Sequence, residues 1–522
     1  MAGTSADYSQ ASYAQTADQG PSLYPDAASI LHRPGYDYDH AVGIRRCPPR
    51  DVDEHREVAG GAFEAIVELA SGQEAMLLIE AAAAGVFRIR FGASGSSYHE
   101  TSDMLADPPP PVPEHGLIVE EHPSRYRLRL GGHSLCLDRN GFGLCLLRED
   151  GSEIFRIETT THAGKHCGGP LGFRLPPGSR PQPYLGWRIA NGERFFGLGE
   201  KWNACEKTGT TATIWSNDTA GSNTTDLSYK AVPVLFSTRG WGLFLHDYHR
   251  SRWEVGSFSY VAGTVLTEGP VLDCFLIAGD DLPAVQRRFT GLTGRPQMPP
   301  KWAFGTWVSR CQYDDAQTAQ WAMQGMRSRG IPADVIHLDP KWMHVHWYWR
   351  IGVDACDFVW NEDGFPDHEA LFRDWAADGW SVSLWINPYL PEGEPIYEEA
   401  REQGFLLRDE RGGIARLSHG EAVGMVDFTH PAAREWWQGH CEAVLRAGAA
   451  VLKPDYGDRV PETALAHDGS SGRELHNRYL HLYAETAYHA AAAVHGRGIV
   501  WRRGGWVGTQ RYPGTWAGDT QT

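Results

Sequence analysis

The stretch PAAREWWQGHCEAVLRAGAAVLKPD, residues 431–455, reads as a helix over 431–447 followed by a short apolar strand over 451–455 that closes on an aspartate. Pro431 suits the first helical position, where its missing N–H would have no partner anyway. The same unit recurs on both sides. Strands are expected over 302–308, 335–339, 381–387, 451–455 and 499–503, with one more strand end at 516–519. Helices are expected over 314–329, 367–378, 394–403, 431–447 and 473–495. Asp at the start of the 314–329 run and Gly330 after its end are the corresponding start and stop signals. Alternating strands and helices with apolar strands imply a parallel sheet, open or closed. These strands end in Asp339, Asn387, Asp455, Arg503 and Asp519. One polar strand end is usually a turn residue. Five in order point to a site at the mouth of a (β/α) barrel, where reactive groups sit at the carboxyl ends of the strands.

Upstream the pattern changes. Over 55–280 apolar and polar residues alternate with period two. Phe87, Ile89 and Phe91 alternate with Arg88 and Arg90, and Tyr126, Leu128 and Leu130 with Arg127 and Arg129. Such alternation places one face in a core and the other in water. Turn signals at Gly131-Gly132, Asn140-Gly141 and Asp150-Gly151 separate short strands, as in an antiparallel sandwich. Residues 231–248 read as strand–turn–strand. A short helix begins at Asp281-Leu-Pro283, and GRPQMPP (294–300) breaks it. The resulting division is a flexible leader over 1–50, a β-sandwich over 51–280, a linker over 281–300 and an α/β barrel over 301–522.

Composition narrows the function. With 48 Lys and Arg against 65 Asp and Glu, the net charge of −17 excludes the basic face that a nucleic acid or anionic membrane requires. The first twenty residues lack the basic and apolar segments of a secretory signal, and no 18-residue apolar run is present. Nine scattered cysteines without a Cys-x-x-Cys pair read as reduced thiols of a cytoplasmic protein. Cys311 and Cys356 are expected to be buried thiols. His344-Val-His346 lacks the further ligands a metal centre needs, and no Gly-rich phosphate loop is present, so neither metal nor cofactor is expected. Fifteen of the 20 tryptophans lie from Trp302 onward. Core filling and stacking on sugar rings both account for that skew.

The motif VLKPDYGDRVP (451–461) resembles the nucleophile motif of glycoside hydrolase family 31, in the branch that contains α-xylosidases. RGGWVGTQRYPGTWAGD (503–519) is similar to that family's acid/base motif, and HLD (337–339), WINP (385–388) and FGLGE (196–200) resemble further signatures. The resemblance implies that Asp455 is the nucleophile and Asp519 the acid/base of a retaining α-glycosidase, with a covalent glycosyl intermediate. It implies that Asp339 and Arg503 hydrogen-bond sugar hydroxyls and that Trp385 walls the sugar site. Trp342 and Trp302 are weaker candidates, and packing is favoured for Trp302. Lys453, two residues before Asp455, is placed to hold it as an anion. Asp458 takes a place usually filled by Glu.

Two departures bear on substrate and extent. Pro340, Lys341 and Gln312 replace the small and aromatic residues that crowd C6 of the sugar in xylosidases. Lys341 either admits a 6-substituted or anionic sugar or points to solvent, the default for lysine. The chain ends three residues after Asp519, so about six of eight barrel strands are expected and the barrel is expected to be incomplete. The implied substrate is an oligosaccharide or α-glycoside with a terminal xylosyl or glucosyl unit. A non-catalytic carbohydrate-binding remnant and an α-transglycosylase remain open, as does homo-oligomerisation.

Overall fold

The computed structural model describes residues 37–47, 61–96, 102–157, 170–219, 225–344, 353–417 and 420–519. The chain divides into two compact units. One comprises Met1–Trp215 and Asn223–Gly294, the other Ser216–Ser222 and Arg295–Thr522. The second unit thus takes a short segment from within the sequence of the first. Among the described residues no helix is long and apolar enough to cross a membrane.

The first unit is antiparallel β throughout its paired strands: a thirteen-stranded sheet and a five-stranded sheet over Ile118–Ile157. Residues 1–36 of the expected leader lie outside the described residues. Asp37–Arg46, also assigned to it, is instead a strand paired with both Leu171–Leu175 and Ala62–Leu69. Its few apolar residues suffice because partners on both sides satisfy the backbone, and the Asp39 carboxylate accepts from the Ser71 N–H and hydroxyl. The helix read from Asp281 spans Leu282–Thr293, with the Asp281 carboxylate accepting from the Ala284 N–H. It belongs to the first unit, so the change of unit falls after Gly294 and not across 281–300.

The alternation read over 125–130 holds: Tyr126, Leu128 and Leu130 are buried while Arg129 is exposed. The parallel reading of Val86–Ala93 does not, because Arg88 and Arg90 are buried as well. Neighbouring strands supply their counter-charges. The Arg88 guanidinium lies 2.6 Å from Asp273 and Arg90 lies 3.3 Å from Glu80. Burial raises the Asp273 carboxyl, but His246 and Arg88 outweigh it and hold it down at about 2.

In the second unit, four parallel strands pair in sequence order: Trp307–Val308, Val335–Leu338, Ser381–Ile386 and Val451–Pro454. Parallel bridges continue the order from Leu452 to Val500 and from Arg502 to Thr515. The described residues therefore hold six parallel segments, two of them only bridges where strands were expected. The expected strand over 302–308 shrinks to two residues, since Lys301–Phe304 is a 3-10 turn. Helices Ala316–Ser328, His368–Ala377, Pro395–Gln403, Pro431–Arg446 and Gly472–His495 alternate with the strands.

Removing one member of a buried ion pair leaves the other charge uncompensated, at a cost of about 3–5 kcal/mol. Asp273→Ala should therefore destabilise the protein by about 3 kcal/mol in denaturant titrations. Replacing Arg88 by Met in the same background should recover part of that loss.

Candidate active site

Asp339 follows the second strand, Asp455 the fourth and Arg503 the fifth segment, so sequence-distant residues converge at one end of the sheet. Asp455 is buried and both of its oxygens are engaged. Oδ2 accepts from Trp385 Nε1 at 2.9 Å and lies 3.6 Å from Lys453 Nζ. Oδ1 accepts from the Tyr456 N–H at 2.8 Å and lies 3.2 Å from Arg503 Nε. The turn that presents this carboxylate is strained, since Tyr456 has φ of 56° and Gly457 of 90°.

Lys453 bridges two carboxylates. Its ammonium donates to Asp339 Oδ1 at 3.2 Å besides facing Asp455. Burial alone would lower it, yet Asp455 and Asp339 more than offset this and keep it firmly protonated. Its charge also sits 4.2 Å from the Trp516 ring centroid. Asp339 is held below the usual carboxyl range by His337 and Lys453 despite its burial. His337 Nε2 lies 3.1 Å from it.

Arg503 faces three further carboxyl groups. Its guanidinium donates to both oxygens of buried Asp458, at 2.9 and 3.1 Å, and lies 3.6 Å from Asp218 and 3.8 Å from Asp519. The Asp519 side chain is 59% exposed. Partial desolvation, then the negative charges of Asp455 and Asp218, raise its carboxyl above the ordinary range, against Arg503 and Lys453. Burial, with Asp218 and Asp455, pushes Asp458 up to about 6 although Arg503 opposes it.

The remaining candidates lie elsewhere or act differently. Trp385, 2% exposed, is a hydrogen-bond donor to Asp455. Trp342 is completely buried, so it has no face to offer a ligand; its Nε1 donates to the Trp385 carbonyl and steadies that residue. Lys341 is ion-paired with Asp314. Asn387, the polar end of the third strand, is buried and structural, donating from Nδ2 to the Asp354 carbonyl. Cys356 is buried as expected, whereas Cys311 is exposed. His346 lies outside the described residues, and among those described no cluster could hold a metal.

Two carboxylates of this site escape a reading by strand ends. Asp218 arrives on the segment Ser216–Ser222, anchored where Asn477 Oδ1 accepts from the Ser216 N–H at 3.0 Å. No local pattern marks it. Asp354 sits in the long connection after the second strand. Its Oδ1 is buried without a hydrogen-bond partner among the described residues. Burial, then Asp455, Asp339 and Asp519, push it up to about 6.

Carboxylates and cations gathered at the carboxyl ends of parallel strands define the site of a barrel enzyme. Comparisons with known proteins specify the kind. Residues 296–522 match the glycosyl hydrolases family 31 TIM-barrel domain, and residues 76–254 match the family 31 N-terminal galactose mutarotase-like domain. The chain is 31% identical over 341 residues to an α-xylosidase of Emericella nidulans, an alignment covering 64% of this chain and 42% of that protein. It is 33% identical over 300 residues to α-xylosidase XylQ of Lactiplantibacillus pentosus, covering 57% and 38%. A dextranase of Flavobacterium johnsoniae complexed with glucose shares the fold, with TM-score 0.77 and 22% identity over 92% of this chain and 57% of that one. The chain belongs to glycoside hydrolase family 31. It spans about 40% of the length of the curated α-xylosidases it matches.

A carboxyl held at about 6 in the fold, against its ordinary 3.8, contributes stability that is complete below about pH 4 and is lost as pH rises through 6. Asn cannot ionise. Asp354→Asn should therefore stabilise the protein by about 3 kcal/mol at pH 8 and leave it nearly unchanged at pH 4, read from denaturation midpoints against pH.

Proposed function

We propose that this chain carries the chemistry of a retaining α-glycosidase acting on terminal α-linked xylosyl or glucosyl units. One observation carries the reading: a single guanidinium lies 3.2 Å from Asp455 and 3.8 Å from Asp519. Retaining hydrolysis needs two carboxyl groups about 5–5.5 Å apart, one to attack and one to protonate. Asp455, fixed on both oxygens, attacks the anomeric carbon, and Asp519 gives its proton to the departing oxygen. Water then enters, with Asp519 as base, and breaks the glycosyl ester. Asp339 and Arg503 hold sugar hydroxyls, and Lys453 balances the negative charge of Asp339 and Asp455. Trp385 acts here through its N–H, which orients the nucleophile.

The pairing of Lys341 with Asp314 and the presence of Asp354 both favour a neutral sugar over an anionic one. The α-xylosidase relatives support the same substrate class. Accumulation of longer oligosaccharides in place of released sugar would mark the chain as a transglycosylase, and binding without turnover as a carbohydrate-binding remnant.

Incubation with 5-fluoro-α-xylosyl or 5-fluoro-α-glucosyl fluoride should add one glycosyl unit at Asp455, read by peptide mass mapping. No adduct, or an adduct elsewhere, overturns the assignment. Since the raised Asp519 must be protonated to act, activity should fall as pH rises through its value, above the usual carboxyl range. Asp519→Asn should flatten that limb. It should cost about 10²–10⁴-fold on alkyl glycosides and far less on glycosyl fluorides, whose leaving group needs no proton. Lys341→Ala should leave the ratio of aryl α-glucoside to aryl α-glucuronide hydrolysis within about twofold of the parent, as for a paired surface lysine.

A further inference from the structure

The five-stranded sheet of the first unit holds an unusual row of directly opposed residues. Along one line across its strands stand Glu120, Arg127, Cys136, Cys145 and Arg156. The leucines on either side of each cysteine face the other way into the core. Directly opposed residues of antiparallel strands have Cα atoms about 4.5–5.5 Å apart, inside the about 4.4–6.8 Å that a disulfide spans. Both cysteines are free. Cys136 is buried and Cys145 half-buried, so Cys145 is the sulfur a reagent meets first.

We infer that Cys136 and Cys145 form a reactive dithiol that small-molecule disulfides convert to a cross-strand disulfide. Nothing in glycoside chemistry uses this pair. The hydrogen bond from the Cys145 thiol, aided by Arg127 and Arg125 against burial and Asp138, pushes Cys136 down to about 7. Cys145, facing Arg156 and Glu153, keeps the shared proton. In the reaction that proton passes to Cys136 as the Cys145 sulfur attacks the disulfide RSSR and expels one RS⁻. The expelled thiolate takes the proton back from Cys136. The Cys136 thiolate then attacks the Cys145 sulfur and releases the second RS⁻. Two protein thiols are oxidised, one disulfide is reduced, and the products are RSH and RS⁻.

The test treats the full chain with glutathione disulfide at neutral pH, quenches in acid, alkylates and maps tryptic peptides. Arg139 lies between the two cysteines, so cleavage there leaves two peptides joined only by the new bond. The joined pair should form before glutathione has fully modified the exposed Cys205, because Cys136 stands directly opposite and takes up the proton of the attacking Cys145 sulfur. Cys136→Ser should leave glutathione on Cys145 as a lasting mixed disulfide. The inference is overturned if both cysteines stay alkylatable once Cys205 is fully modified, or if glutathione remains on Cys145 of the parent chain. Should the variant fail to fold, the parent map decides by itself.

Discussion

The second unit depends on the guanidinium of Arg503. Four carboxylates, Asp218, Asp455, Asp458 and Asp519, lie within ion-pair distance of it, and Arg503 is almost wholly buried. Unit charges a few ångströms apart interact by several kcal/mol near a protein surface, so these carboxylates could not gather without a cation among them. A lysine could not substitute. Its ammonium is a point charge, whereas the planar guanidinium sends donors in several directions at once. Lys453 has the narrower task of joining Asp339 to Asp455.

These two permanent cations do not balance the carboxyl groups of the cluster, and burial beside other carboxylates raises several of them. Asp354 and Asp458 are pushed to about 6 and Asp519 is raised, while Asp339 is depressed. The split follows the balance of burial and like charge against nearby cations. Asp339 has His337 and Lys453 within hydrogen-bond reach, whereas Asp354 has a buried oxygen with no partner among the described residues. Carboxyl groups of one site thereby differ in proton affinity, which acid–base chemistry on one substrate requires.

Much of this arrangement was legible because barrel geometry converts sequence position into location. A polar residue at a strand's end is a residue at the mouth, so Asp339, Asp455 and Arg503 could be read directly. Asp218 and Asp354 could not, since each sits on irregular chain where no periodicity fixes direction. Asn387 passed the same test as Asp455 yet serves the connection after the second strand, because a strand end gives location but not orientation. In the first unit, Arg88 and Arg90 read as solvent-facing by alternation alone. Their burial depends on Asp273 and Glu80, counter-charges from other strands that a local pattern does not reveal.

The clustering of tryptophan now has a physical account that joins packing to the site. Trp342 and Trp385 are buried, yet their indole N–H groups form a relay: Trp342 fixes the Trp385 backbone, and Trp385 fixes Asp455. Trp307, Trp501 and Trp516 form a second chain of rings, with centroids 5.0 and 6.0 Å apart, beside Lys453. A buried ammonium gains from such π faces without another anion being added. Aromatic residues therefore hold both charges on the fourth strand, the carboxylate through a hydrogen bond and the ammonium through ring faces. Bulk restricts the rotamers of these side chains more than flexible aliphatic packing would, and rigidity at this point fixes the orientation of the Asp455 carboxylate.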